Sequence, residues 1–243
     1  MCGFCGGKLS RRQFCQGVLA APLAMGAVRK DGLVEPILRL QPQSGPRRVA
    51  VTLDACPGQF DPRIATLLVE RNIPATIFIT AIWMRMNPGG LAFFLKHPGV
   101  FTLENHGAWH LPPVLGTERV YGLKVAGSWA AIQVEIESGA AMIHKVTGRW
   151  PGWYRGAAGL YTPSVVPQIE ALGLRVAGYS LNSDEGASLP AAMVAARIMS
   201  ARDGDVIEGH INQPRRDSGA GIAAGLAALQ ASGVQFARLD EAA

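Results

Sequence analysis

The chain has 243 residues, 49 % hydrophobic and only 17 % charged, which suits one large α/β domain with a proper core and excludes a disordered chain. Its formal charge of +5 would fit an acidic partner, but three of those cations sit in the first 27 residues and are expected to be removed. The remaining +2 gives nucleic acid no support, and no window holds the roughly 18 uninterrupted apolar residues of a membrane span.

The N-terminus reads as an address. In "LSRRQFCQGVLAAPLAMGA", Arg11 and Arg12 precede Phe14 and an uncharged apolar run from Gly17 to Ala27 that ends in small residues. The Ser-Arg-Arg-x-Phe core resembles a twin-arginine export signal, which implies the export machinery of that name as a partner and the bacterial periplasm as destination. Cleavage is expected near Ala27. Cys2, Cys5 and Cys15 would leave with the segment, so Cys56 alone remains and no internal disulfide is possible.

Residues 28–46, with Pro36, Pro42, Gly45 and Pro46, read as a linker, and the domain is expected over 47–243. From Arg48 onward apolar runs alternate with helical stretches. The expected strands are 48–55, 74–80, 100–106, 152–156, 175–182, 204–211 and 234–240. The stretches 61–72, 131–148, 162–173, 190–201 and 221–233 read as helices. This alternation predicts a parallel sheet covered by helices, closed as a barrel or open.

Strand parity places the polar residues. Val49, Val51 and Leu53 form one apolar face, while Ala50, Thr52 and Asp54 point the other way, towards a barrel interior. Glu104 shares a face with His106, and Glu208 with His210. Chemistry in such folds sits at the C-terminal ends of the strands. There the chain carries Asp54, Glu104 with His106, Arg155, Asp184, and Glu208 with His210.

Two histidines four apart, His106 and His110, are weak evidence alone, because catalytic zinc usually takes three protein ligands. Together, however, five segments between about 48 and 240 resemble the NodB-like polysaccharide deacetylases. "TLDACPGQFDP" is similar to the Thr-Phe-Asp-Asp-Gly motif, and "NHGAWH" to Asn-His-x-x-x-His. "YRGAAG" is similar to Phe-Arg-Pro-Pro-Tyr-Gly, "SLNSDEG" loosely to the Asp-x-x-Asp-Trp region, and "GDVIEGH" to the closing Leu-x-His.

The resemblance implies a distorted (β/α) barrel of about seven parallel strands that hydrolyses N-acetyl groups on a glycan containing N-acetylglucosamine. It implies Asp54 as general base, Arg155 as the residue that orients it, His210 as general acid and Asp184 as the acid behind His210. His106 and His110 would bind a divalent metal, zinc first. Three positions depart from the pattern: Ala55 replaces the aspartate that is normally the third ligand, Glu208 replaces a leucine of the acetyl pocket, and Gly186 stands near the place of the family's tryptophan.

For the missing ligand we expect Glu104 first, on parity with His106, then Glu208, then Cys56. Asp54, the histidines and Asp184 also have purely structural readings, as a buried ion pair, core histidines and a helix cap. Trp109, Trp150 and Trp153 offer faces for sugar stacking but equally suit the core or rim. The alternatives to a deacetylase are a glycan-binding protein that kept the fold without the activity, and an amidase acting on another acyl group.

Overall fold

The computed structural model describes Gly26, Val28, Arg29 and residues 31–242. The twin-arginine core and its cysteines lie outside the described residues. Among those described, no helix is long and apolar enough to cross a membrane.

Seven parallel strands build the main sheet, in the spatial order β7-β6-β3-β2-β1-β9-β8. They are β1 (Arg48–Ala55), β2 (Ala75–Ile79), β3 (Phe101–Asn105), β6 (Trp153–Tyr154), β7 (Arg175–Val176), β8 (Leu181–Asn182) and β9 (Val206–His210). The sheet curls into a half-barrel, the shape expected from the sequence. A last strand, β10 (Gln235–Ala237), pairs with the opening residues of β1. A short antiparallel hairpin, β4 (Arg119–Val120) and β5 (Leu123–Lys124), was not expected.

Helices α1 (Pro62–Glu70), α4 (Trp129–Thr147), α5 (Val166–Glu170), α6 (Ala191–Met199) and α7 (Ser218–Ala231) overlap the predicted stretches, with α4 and α7 starting two and three residues early. Two more, α2 (Ala81–Met86) and α3 (Pro88–Lys96), occupy a segment with no clear helical period. Local chemistry explains the starts. Asp61 accepts a hydrogen bond from the Arg63 N–H ahead of Pro62 in α1, and Ser128 accepts one from the Ala131 N–H in α4.

The alternation in β1 separates two cores. Val49, Val51 and Leu53 pack with Ile64, Leu68 and Leu226 beneath the helices. Ala50 turns inward and joins Leu38, Leu40, Phe78, Trp153 and Val206 in an apolar plug. Leu38 and Leu40 belong to the stretch expected as a linker, which is instead built into the domain. Val34 exchanges backbone hydrogen bonds with Tyr161, and the Leu40 N–H donates to the Gly204 carbonyl.

That docking also corrects the strand expected over 175–182, which is broken into β7 and β8. Between them, at Gly178, the backbone of Pro36 lies where a Cβ would stand. Only glycine admits this approach.

The register stacks inward-facing residues in layers. Thr52 pairs with Thr76 and Glu208, and Asp54 pairs with Phe78 and His210. Phe78 in turn pairs with Glu104. The next layer starts where Ala55, Ile79 and Asn105 end the register, so Cys56, Thr80 and His106 lie above it.

Candidate active site

Asp54 ends its strand beside two basic groups. Arg155, which follows β6, is fully buried and donates to Asp54 Oδ1 at 2.9 Å, Thr52 Oγ1 at 2.9 Å and the Gly178 carbonyl at 3.0 Å. Its guanidinium lies 4.2 Å over the centre of the Phe78 ring. Burial opposes the charge on Asp54, but Arg155, His106 and His210 outweigh it and hold the carboxyl below its ordinary range. Asp54 Oδ2 stands 3.7 Å from His106 Nε2.

His210 is fixed by Asp184, a fully buried residue. One Asp184 oxygen accepts the His210 backbone N–H at 2.8 Å and the other meets Nδ1 at 2.9 Å. Glu208 Oε1 approaches the same nitrogen at 3.3 Å. Burial disfavours imidazolium, yet Glu208 and Asp184 raise the His210 pKa well above the ordinary value. Burial pushes Glu208 itself up to about 8, and its Oε2 is buried without a hydrogen-bond partner. The His210 side chain keeps 16 % of its surface exposed, which leaves an approach from solvent.

His106 and His110 come together with Cys56. One donor atom from each lies within 4.8 Å of the others, a group able to hold a metal ion. Cys56 Sγ is 3.4 Å from His106 Nε2, whose Nδ1 faces the Arg155 carbonyl at 2.7 Å. His110 Nε2 is buried and has no hydrogen-bond partner among the described residues. Asp54, Glu208 and His210 form a second group of the same span.

The loop carrying His110 is clamped by two residues the sequence reading did not assign. Glu135, buried on α4, accepts from the backbone N–H groups of Trp109 at 2.8 Å and Leu111 at 3.2 Å. Asn105 accepts from the Gly107 N–H and donates to the Ile136 carbonyl, both at 2.9 Å. A Cβ on Gly107, whose φ is +85°, would meet the Glu135 carboxylate. Glu135 had a signal in the sequence, since it is an acid on the stripe of α4 that buries Ile132, Ile136, Gly139 and Ile143.

Glu104 is not part of the metal-binding group. Its carboxylate accepts from Arg149 and from the backbone N–H groups of Gly152 and Trp153, each at 2.8 Å. It shares the inner face with His106, as parity requires, but lies one layer lower, level with Asp54 and separated from it by Phe78. Both of its oxygens are engaged by these donors, Oε1 by Arg149 and Oε2 by Gly152 and Trp153. Trp109 and Trp150 are half-exposed, Trp150 stacked on His144, whereas Trp153 is buried.

The strand ends of the half-barrel thus carry an acid–arginine pair, an acid–histidine pair and a histidine–cysteine group. The polysaccharide deacetylase family model covers residues 41–177, and the chain belongs to that family. No protein with a curated description matches. Among solved structures, peptidoglycan deacetylase PdaC from Bacillus subtilis is 20 % identical, with a TM-score of 0.66 over 82 % of this chain and 91 % of that one. PdaA of Bacillus subtilis, a family 4 carbohydrate esterase, gives 17 %, 0.65, 85 % and 83 %. A CE4-family pseudoenzyme from Bacillus anthracis gives 16 %, 0.65, 82 % and 66 %, and a mutant of it is described as having restored enzymatic activity.

Proposed function

We propose that the protein is a metal-dependent N-deacetylase of an N-acetylglucosamine-containing glycan, acting after export to the periplasm. The observation that carries this reading is the paired Asp54–Arg155 and Asp184–His210 arrangement, with donor atoms of Asp54 and His210 within 4.8 Å of each other, beside a group able to hold a metal ion. The first pair keeps a carboxylate ionised, and the second keeps an imidazole protonated. A hydrolase that removes a proton from water and returns one to an amine needs that division.

In this reading Asp54 takes the proton from the attacking water, and Arg155 fixes the carboxylate and preserves its charge. His210 donates a proton to the departing sugar nitrogen, which would otherwise leave as an unstable amide anion. Asp184 orients the imidazole through Nδ1, so the other nitrogen faces the substrate. A divalent ion held by His106 and His110 would supply Lewis-acid activation of the acyl carbonyl. Two imidazole donors suit zinc better than magnesium. Exposed Trp109, next to His110, offers a face for a sugar ring.

A second reading, a glycan-binding protein without catalysis, draws on Ala55 and on the pseudoenzyme neighbour. Binding alone does not require the matched base and acid. The deciding experiment measures acetate release from N-acetylglucosamine oligomers and from peptidoglycan, with zinc at one equivalent. Release that is abolished by Asp54→Asn supports the deacetylase. Glycan binding without release supports the alternative.

A further inference from the structure

Ala55 carries no donor and Glu104 is held elsewhere, so the two histidines lack the expected third ligand. We infer that Cys56 supplies it, as a thiolate that completes a two-histidine, one-cysteine metal site. The inference deepens the deacetylase reading and rests on it for the purpose of the metal.

Three observations carry it. The first is direction: Asp54 faces the barrel interior, Ala55 packs outward among Ile64 and Ala65, and Cys56 turns inward again. The second is height, since Cys56 and His106 both lie directly above the Ala55–Ile79–Asn105 row that ends the register. The third is distance and orientation. Ligands at zinc–nitrogen and zinc–sulfur bond lengths in a tetrahedron are about 3.3–3.6 Å apart. Cys56 Sγ already stands 3.4 Å from His106 Nε2.

The partner groups are prepared as well. With Nδ1 of His106 donating to the Arg155 carbonyl, the lone pair is left on Nε2, the nitrogen that faces the sulfur. His110 contributes a donor atom to the same 4.8 Å group. Asp184 and Arg155 hold the groups of the other cluster, His210 and Asp54. A thiolate would make this site softer than one built on a carboxylate and favour zinc or cobalt over magnesium.

The test uses the full chain with Cys2, Cys5 and Cys15 changed to Ser, leaving Cys56 as the sole thiol, loaded with Co(II) and separately titrated with Zn(II). The expected result is an intense near-ultraviolet thiolate-to-cobalt charge-transfer band. Cys56→Ser should abolish it and weaken zinc binding at least about tenfold, while Cys56→Asp should recover affinity without the band. Cobalt bound without the band, or undiminished zinc affinity in Cys56→Ser, places the third ligand elsewhere and overturns the inference. In that case metal occupancy and acetate release leave the deacetylase reading standing. If the parent takes up no metal, both fall. The parent spectrum decides even if Cys56→Ser fails to fold.

Discussion

Asp54 and Arg155, 101 residues apart in the chain, meet in a 2.9 Å ion pair in which the arginine is wholly buried and the acid nearly so. The arginine is satisfied on three further sides, by Thr52, the Gly178 carbonyl and the Phe78 ring. The pair therefore joins β1 to β6 and holds a negative charge at the mouth of the barrel. In the proposed mechanism, stability and catalysis depend on this same contact.

Removing the cation alone should be expensive. Arg155→Met leaves Asp54 buried without its main partner, a loss on the order of 3–5 kcal/mol by urea unfolding at pH 7. The sign with pH is fixed by the depressed carboxyl: its stabilisation is present above the unfolded pKa and is lost as pH falls through the folded one. The gap between wild type and Arg155→Met should therefore narrow in acid. A gap that is constant with pH would mean the arginine acts by packing alone.

Asp184→Asn tests the other pair. It removes a charge that raises the His210 pKa, so the alkaline limb of the kcat/KM profile should move to lower pH. His210→Ala should lower turnover by about two to four orders of magnitude. An unmoved alkaline limb in Asp184→Asn would detach that limb from His210.

Much of this was legible in the sequence because a strand repeats every two residues. Parity alone separated Val49, Val51 and Leu53 from Thr52 and Asp54, and it placed Glu104 on the face of His106. It could not show that Arg149, Gly152 and Trp153 would engage the Glu104 carboxylate, while the Cys56 sulfur meets His106. Beyond the strand end parity gives no guide, so the sequence ranks Cys56 last, as a side chain pointing away; its sulfur instead stands 3.4 Å from His106 Nε2. Nor could local sequence show that Pro36 would cross at Gly178 and split the predicted strand, since that contact joins residues 142 positions apart by their numbering.

Glu104→Gln should accordingly leave zinc affinity within about threefold of wild type, well short of the roughly tenfold or more that losing a residue one step removed from a metal costs, because Glu104 holds Arg149, Gly152 and Trp153 instead. Its cost should appear in stability, through the weakened hold on Arg149, Gly152 and Trp153. Gly107→Ala should do the reverse and weaken metal binding at least about tenfold, by driving the His110 loop off Glu135. Equal zinc affinities for both variants and wild type would break the distinction.

Export can be tested independently of the site. If Arg11 and Arg12 are read by the twin-arginine machinery, changing both to Lys should leave the full-length precursor in the cytoplasm. Fractionation that finds the double variant in the periplasm at wild-type yield would reject that route.

Glu208 should impose a pH dependence of its own. Burial lifts its pKa to about 8, against an ordinary value of 4.5, so the folded state binds a proton that the unfolded state releases between those values. Stability is then complete below the unfolded pKa and declines as pH rises through the folded one. His210, also raised, contributes with the same sign, so wild type should lose stability steadily from about pH 5 to pH 9. Glu208→Gln keeps the neutral form at every pH and removes the acid's share, so its urea midpoint should overtake that of wild type towards pH 9. At pH 7 the glutamine resembles the protonated acid already present, and turnover should change by less than about tenfold. Parallel stability curves for the two proteins would show that Glu208 is ionised in the fold. In either case the alkaline limb of the activity profile should move to lower pH in Glu208→Gln, because the ionised Glu208 raises the His210 pKa.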